Sequence, residues 1–203
     1  GILGLGFDAD AGGQIEIMVT LTEVGRRLAP EPVLFGALGP GGLIAERGSA
    51  AQRALLDDVA GGSRLLAFAH TEPGMRTATA QVTTTAVRHG DSWLLSGQKN
   101  PVLAGHCADT LIVSAGLPNG GTGLFLADAA ATARHPYRTF DGLHGAQIDL
   151  DGVAGEPLGS ADDASQLIGD TIIRLQSGLC AEACGAMEEA LRLTTAYLQT
   201  RKQ

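Results

Sequence analysis

Residues 67–87, AFAHTEPGMRTATAQVTTTAV, place a hydroxyl, a carboxylate and a turn together between two runs of small and apolar residues. Pro73 and Gly74 are sufficient to reverse the chain. Thr71 and Glu72 are therefore available for a ligand, because a hydroxyl can donate to a carbonyl or ring nitrogen and turn N–H groups can face an anion. The competing interpretation is a plain β-turn with two incidental polar side chains.

Other stretches that could take part in binding or catalysis have weaker support from their residue patterns. GILGLG and GPGG lack the following Lys-Ser or Lys-Thr of a phosphate-binding loop, no strand precedes GILGLG, and the Gly-x-Ser-x-Gly elbow of hydrolases does not occur. The five His residues have no Cys, Asp or Glu at metal-ligand spacing. Cys107, Cys180 and Cys184 are interpreted as small apolar side chains in a reducing compartment, which predicts a cytoplasmic protein without a metal site.

Composition limits the classes of partner. The 203 residues are 44% hydrophobic and carry a net charge of −8, which disfavours binding to nucleic acid. The sequence lacks the roughly 18 consecutive apolar residues of a membrane helix, so no membrane contact is expected. The chain opens without a Met and ends within a helical pattern, and we expect an interior piece of a longer protein.

The elements that must position Thr71 and Glu72 begin with helices. GGQIEIMVTLTEVGRRLAP has an apolar face at helical spacing, formed by Ile15, Met18, Leu21 and Val24. PVLFGALGPGGLIAERG predicts a short helix broken at Gly39-Pro40. SAAQRALLDDVAGG predicts another, with Ser49 as its N-cap and a glycine pair as its end.

At residue 63 the hydrophobic period changes to that of strands. The segment TATAQVTTTAVRHG alternates, which places Ala78, Ala80, Val82, Thr84 and Ala86 on one face. An Asn-Gly turn joins DTLIVSAG and TGLFLADA into a hairpin. Because the predicted strands have no helices between them, we expect an antiparallel sheet or barrel.

From about residue 161 the helical period returns and continues for about 40 residues, an unusual length that suggests a bundle. The predicted fold class is therefore α+β, with an N-terminal helical part at 1–62, a β domain at 63–160 and the first long helix of a helical domain at 161–203. The apolar stripe of this helix comprises Leu167, Ile168, Ile172, Leu175, Leu179, Ala183, Met187, Leu191, Thr194 and Leu198.

Several spaced motifs resemble the acyl-CoA dehydrogenase family. These are Thr71-Glu72-Pro73, LSGQK at 95–99, Ala108-Asp109 and Ser114-Ala115, together with the opening GLGFDADAGG and the final YLQTRKQ. They cover the whole chain in the family's order. AEACGAMEEAL and YRTFDGLHGA further resemble the small subunits of pimeloyl-CoA-type and steroid-side-chain dehydrogenases.

The resemblance implies an antiparallel β-barrel as the middle domain and an FAD-dependent α,β-dehydrogenation of an acyl-CoA thioester. A carboxylate removes the α-proton while a hydride passes to the flavin. It further implies an electron-transfer flavoprotein or similar acceptor and a homo- or hetero-tetramer. The leading expectation is the small subunit of a heteromeric enzyme; the alternatives are a self-sufficient homotetramer and a non-catalytic scaffold subunit.

By position, the resemblance assigns cofactor binding to two segments, and the chain departs from the family in both. Arg76 and Thr77 replace a small Gly and a Ser, while Pro101 and Leu103 replace a Trp and a Thr. Arg76 either reaches a pyrophosphate or fills its space. The full predicted cofactor set is Phe68, His70, Thr71, Arg76, Thr77, Pro101 and Leu103.

The catalytic base is expected outside these residues. In a minority branch of the family it lies on the long helix, where this chain has Leu175, which cannot abstract a proton. The helix also carries Glu182, Glu188 and Glu189, which we interpret as solvated surface.

Overall fold

The computed structural model describes residues 1–8, 10, 12–90 and 92–201. Parts of two of the motifs named above lie outside the described residues: positions 9 and 11 of GLGFDADAGG and the last two residues of YLQTRKQ. Within the described part of the chain, no helix has the length and hydropathy needed to cross a membrane.

The first long helix, α1 (Gln14–Arg27), follows a 3-10 turn at Ile2–Gly4. Its buried side is Leu21 and Gly25, with Ile17 and Val24 packed against the same cluster. The predicted apolar face was therefore partly wrong. The side chains of Ile15 and Met18 are exposed, because the helix packs on one neighbour through a face rotated away from them.

The next helical segment is continuous, contrary to the predicted break at Gly39-Pro40. A π-helical turn at Leu34–Leu38 runs directly into α2 (Gly39–Arg47). Pro40 lies just after the π-helical turn, so its missing N–H falls where the hydrogen-bond register changes between π and α. The N-cap at Ser49 is confirmed, since its hydroxyl accepts from Gln52 N; the short helices α3 (Ala50–Arg53) and α4 (Leu55–Ala60) follow.

Seven strands form one curled sheet. They are β1 (Leu66–Ala69), β2 (Thr85–His89), β3 (Ser92–Leu103), β4 (Thr110–Gly116), β5 (Thr122–Asp128), β6 (Ala133–Arg138) and β7 (His144–Pro157). Pairings run from β4 through β2, β3, β7 and β5 back to β4. The circuit closes through a single residue pair between β2 and β4 and two pairs between β5 and β7, so it is not an evenly bonded barrel.

The sheet is mixed, whereas the sequence predicted an antiparallel one. Strand β1 pairs with β4 in parallel, with Leu66 opposite Thr110. The hairpin of β2 and β3 lies between them in sequence and supplies the crossover that a parallel pair needs. Strand β4 is buried on both sides, which parallel pairing favours. The predicted hairpin of β4 and β5 is confirmed.

Two features of the β region differ from the predictions. The alternating segment from Ala78 is not a strand until residue 85; residues 70–84 form an irregular loop. Strand β6, which the sequence analysis did not predict, pairs with β7 along its full length. Its side chains are half-buried or exposed, so it lacks the apolar alternation that marks a strand in the sequence.

The sheet separates two apolar clusters. Leu111 and Val113 face a cluster inside the curl, which includes Phe125 and Ile148. Ile112, between them, faces the cluster formed with the helices. Successive side chains of a strand point to opposite faces, so one apolar strand serves both cores.

The long helix is confirmed as α5 (Ser165–Thr200). Its N-terminal half packs through Ile168, but farther along the buried positions are the small residues Gly178, Ala181 and Gly185. This corrects the predicted stripe, of which Leu179, Met187, Leu191 and Leu198 are exposed. Small residues are buried there because α1 crosses α5 at backbone-to-backbone distance.

Candidate functional site

Both oxygens of the Glu72 carboxylate are hydrogen bonded inside the protein. Oε2 accepts from the backbone N and the hydroxyl of Thr83, each at 2.6 Å. Oε1 accepts from the backbone N of Thr84 at 2.9 Å and from its hydroxyl at 2.6 Å. The carboxylate therefore organises residues 71–84, a segment that has no strand pairing of its own. The Pro73-Gly74 turn brings it back onto that segment, with Met75 N donating to Glu72 O.

Lys99 reaches the same carboxylate from strand β3, and its side chain is completely buried. All three ammonium hydrogens have acceptors: Nζ lies 2.8 Å from Glu72 Oε1, 3.1 Å from Ser114 Oγ and 3.2 Å from the backbone O of His70. A buried cation needs this pairing and hydrogen bonding to offset its lost hydration.

His70 continues the network toward the loop. Its Nε2 lies 2.6 Å from the backbone O of Ala78, which only accepts, so Nε2 carries the proton. Nδ1 then accepts from the Ser114 hydroxyl at 2.9 Å. Burial is the main cause that lowers the pKa of His70, and it keeps the ring neutral.

We call Glu72, Lys99, Ser114 and His70 the polar clamp. Burial opposes ionisation of Glu72, but the hydrogen bonds from Lys99, Thr83 and Thr84 outweigh it and lower the pKa of the carboxyl to about 2. Burial also lowers the pKa of Lys99 to about 8, against the opposing effect of Glu72. Because its donors and acceptors bind one another, the clamp holds the loop in place and is not itself a ligand site.

Lys99 and the three hydroxyl residues, Thr83, Thr84 and Ser114, were not predicted from the sequence as functional residues. The available signal was a charged residue within a strand pattern: Lys99 in LSGQK falls on the inward side of β3. A buried lysine predicts a carboxylate partner, and Glu72 was the polar residue already singled out.

We expect acid to destabilise the protein partly through Glu72. Its pKa is about 2 when folded and 4.5 ordinarily, so the unfolded state binds the extra proton between these values. This contribution to the free energy of unfolding, on the order of 3 kcal/mol, is complete above 4.5 and is lost as the pH falls toward 2. Urea unfolding across this range should show a steeper pH dependence for wild type than for Glu72→Gln. Equal slopes would contradict the assignment.

The structure brings the two predicted cofactor segments together. The backbone N of Asn100 donates to the backbone O of Thr71 at 2.8 Å, which joins the loop to strand β3. Pro101, the next residue of the strand, is exposed. Arg76 and Thr77 are exposed on the loop, and Thr71 is half-buried. Their role in cofactor binding remains a prediction.

Three other predicted cofactor residues, Phe68, His70 and Leu103, are partly or fully buried. Phe68 stacks on the His70 ring, with centroids 5.3 Å apart, and packs against the helical core. Both nitrogens of His70 are engaged within the clamp. Leu103 lines a cavity of about 140 Å³, which also includes His106 and Glu182. The role of these three residues in cofactor binding also remains a prediction.

The glutamates of α5 have different environments. Glu182 is half-buried, and burial is the main cause that raises its pKa, so the expectation of solvated surface was wrong for this residue. Glu188 is exposed and pairs with Arg26 of α1 at 2.7 Å. Glu189 pairs with Arg192 on its own helix.

Leu175, at the alternative base position, lines a cavity of about 400 Å³ between the N-terminal segment, the helix at 34–47 and α5. The charged residues of its lining are Glu46 and Arg174, which pair with each other at 2.7 Å. Among the described residues, the lining therefore offers no unpaired carboxylate.

Comparison with known proteins finds similar curated proteins and similar solved structures. No family model matches the chain. The acyl-CoA dehydrogenase FadE29 of Mycobacterium tuberculosis (strain ATCC 25618 / H37Rv) is 34% identical over 115 residues, which are 54% of this chain and 29% of that protein. FadE12 of the same strain is 34% identical over 105 residues, 49% of this chain and 27% of its own length.

Solved structures match over more of the chain. A steroid ACAD, the Tcur3481-Tcur3483 G363A variant, is 36% identical with a TM-score of 0.86 over 100% of this chain and 56% of its own. The ChsE4-ChsE5 complex from Mycobacterium tuberculosis (24%, TM-score 0.83, 98% and 53%) and a glutaryl-CoA dehydrogenase from Mycobacterium smegmatis in complex with FADH2 (23%, TM-score 0.89, 100% and 56%) show the fold. These matches confirm the resemblance to the acyl-CoA dehydrogenase family, whose fold this chain has along its whole described length and over about half the length of the solved relatives.

Proposed function

We propose that this chain forms part of an FAD-dependent acyl-CoA dehydrogenase that introduces a double bond between the α and β carbons of an acyl-CoA thioester. The observation that carries the proposal is the 36% identity to a steroid ACAD over the whole chain, at a TM-score of 0.86. The curated relatives are acyl-CoA dehydrogenases by name, although the chain spans less than a third of their length in the matched region.

Exposed residues of the loop at 70–84 are suited to holding FAD. Arg76 and Thr77 are exposed, and among the described residues Arg76 has no ion-pair partner. A Cβ added at Gly74 would meet nothing within 4 Å, so the space over the turn is open. A guanidinium and hydroxyls on a clamped loop suit a pyrophosphate. When bound, FAD supplies the hydride acceptor.

Residues of this chain hold the loop in place and line the cavity for the acyl group. The polar clamp holds the loop, and the bond from Asn100 N to Thr71 O keeps the loop against β3. The cavity at Leu175 has apolar side chains in its lining, among them Leu5, Phe7 and Ile17. Its size is typical of ligand pockets, roughly 300–1,000 Å³, so we assign the acyl group to it. Since Leu175 cannot take a proton, we expect the base to come from another part of the full-length protein or from a partner subunit.

The finer proposal is the small-subunit role in a heteromeric enzyme. It is supported by the two-component names of the steroid ACAD and of the ChsE4-ChsE5 complex. A self-sufficient homotetramer and a non-catalytic scaffold are the alternatives. The test is the flavin content of the full-length protein, purified alone and co-expressed with its genomic neighbour, followed by flavin bleaching on addition of acyl-CoA thioesters. Absence of flavin and of bleaching in both preparations would refute the dehydrogenase.

We expect Arg76→Ala to reduce flavin retention. If the guanidinium contacts a phosphate, its removal costs about 1–3 kcal/mol of cofactor binding. The measurement is the ratio of flavin absorbance to protein absorbance, with Arg138→Ala as the control, since Arg138 is an exposed arginine on strand β6. Unchanged or increased flavin in Arg76→Ala would mean that Arg76 fills the space instead. Full flavin occupancy of the lone wild-type subunit would exclude dependence on a partner.

A further inference from the structure

The helical segment at 34–47 presents one face to the cavity of about 400 Å³, and Gly42 lies at the centre of that face. Besides Leu34, the residues of this segment in the cavity lining are Leu38, Gly39, Gly42, Ala45 and Glu46. Gly42 is four residues from Leu38 and Glu46 and three residues from Gly39 and Ala45. Because residues three and four apart share one side of a helix, a side chain at position 42 would point into the cavity.

Gly42 differs from its glycine neighbours in what surrounds it. A Cβ added at Gly39 would lie 2.5 Å from Leu175 Cδ2, and a Cβ at Gly41 would lie 2.3 Å from the ring of Phe7. A side chain at either position would therefore displace a packed neighbour. Among the described residues, a Cβ at Gly42 meets nothing within 4 Å.

The packing around α2 therefore does not require glycine at position 42. Glycine in the interior of a helix is less stable than alanine, because it loses more conformational freedom on folding. Any larger residue would narrow the cavity, since its side chain would occupy the space in front of the backbone. The effect of Gly42 is thus on the width of the cavity.

The rest of the lining shows what kind of group this space suits. Phe7, Ile17 and Leu175 bring apolar side chains to it. The charged residues Glu46 and Arg174 pair with each other, and their side chains are about half exposed to water. A hydrocarbon group can therefore pack against the apolar side chains without separating the ion pair.

We propose that Gly42 is a specificity-determining residue, and that the space beside its bare backbone accepts an acyl group that carries a ring or a branch. A straight alkyl chain is narrower and would leave part of this space empty, which forfeits dispersion contacts with the lining. This inference rests on the proposed function, which assigns the acyl group to the cavity, and it adds the shape of that group.

The test compares acyl-CoA thioesters of equal carbon number, one with a straight chain and one that ends in a cyclohexyl ring. The pairs are nonanoyl-CoA with 3-cyclohexylpropanoyl-CoA and decanoyl-CoA with 4-cyclohexylbutanoyl-CoA. Binding to the full-length protein, with any subunit that purifies with it, is measured by calorimetry. In at least one pair, we expect the ring-bearing member to bind about tenfold more tightly, and Gly42→Leu to reduce this ratio to one or below.

Two controls make the result specific to the cavity. Gly169→Leu introduces the same side chain on α5, at a glycine outside this lining whose Cβ also meets nothing within 4 Å in the described part of the chain. It should keep the preference for the ring. Gly42→Leu should not lower the Tm, because leucine favours the helix and its side chain enters open space. A lower Tm would mean that the full-length protein fills this space, which overturns the inference.

The remaining outcomes separate the inference from the proposed function. A wild-type ratio of one or below in both pairs, or the same ratio in wild type and Gly42→Leu, also overturns the inference. Oxidation of the same thioesters is followed separately by flavin bleaching. Ring-selective binding without oxidation of any thioester overturns the proposed function and leaves the role of Gly42 standing.

Discussion

Replacing Lys99 with methionine should lower the free energy of unfolding by about 3–5 kcal/mol, because it leaves the Glu72 carboxylate buried without its counter-ion. The carboxylate is 4% exposed and the ammonium is completely buried. Water therefore cannot replace the lost partner. The measurement is urea unfolding at neutral pH, followed by circular dichroism.

Two controls make this result specific to the buried pair. The double variant Glu72→Gln with Lys99→Met removes both charges and should recover a large part of the loss. Arg192→Met breaks the surface pair with Glu189 and should leave the free energy of unfolding nearly unchanged. A loss below about 1 kcal/mol for Lys99→Met would mean that the carboxylate is satisfied by Thr83 and Thr84 alone.

Gly185→Ala should destabilise the protein by about 3 kcal/mol or more, because the two long helices must move apart. A Cβ at Gly185 would lie 1.8 Å from the backbone O of Thr22 in α1. A Cβ at Gly25, on the facing helix, would lie 1.8 Å from the backbone O of Glu182. Both obstacles are backbone atoms, which cannot move away as the end of a side chain can.

Gly169→Ala is the matched control on the same helix. A Cβ there meets nothing within 4 Å, so alanine should stabilise the helix by about 0.5–1 kcal/mol. Thermal unfolding of the two variants should therefore shift in opposite directions. An unchanged Tm for Gly185→Ala would show that α1 and α5 do not cross at backbone-to-backbone distance.

Sequence reasoning succeeded where a few neighbouring residues decide the conformation. The Pro73-Gly74 turn, the Ser49 cap and the hairpin between β4 and β5 were each predicted from short patterns and are observed. The turn uses the positive φ of Gly74, which glycine adopts without strain. The order of helices, sheet and long helix also followed from the change of hydrophobic period.

The candidate site was likewise predicted from the sequence only in part. The importance of Glu72 was visible from its place beside a forced turn, but its partner Lys99 lies 27 residues away. The residue pattern around the turn does not identify Lys99 as the partner of Glu72. The seven predicted cofactor residues came from resemblance, and their role in cofactor binding remains a prediction. The hydrogen bond from Asn100 N to Thr71 O, which joins the two predicted segments, depends on the tertiary structure.

The residues alone were sufficient for the local turns, the caps, the kinds of element and their order, because these depend on backbone preferences over a few residues. Only the tertiary structure decided which faces are buried. Ile15 and Met18 are exposed, while Gly25 and Gly185 each lie directly against the backbone of the facing helix. The physical reason is that close packing rewards complementary shape, which two glycines provide where their helices cross and an apolar stripe on one helix cannot specify.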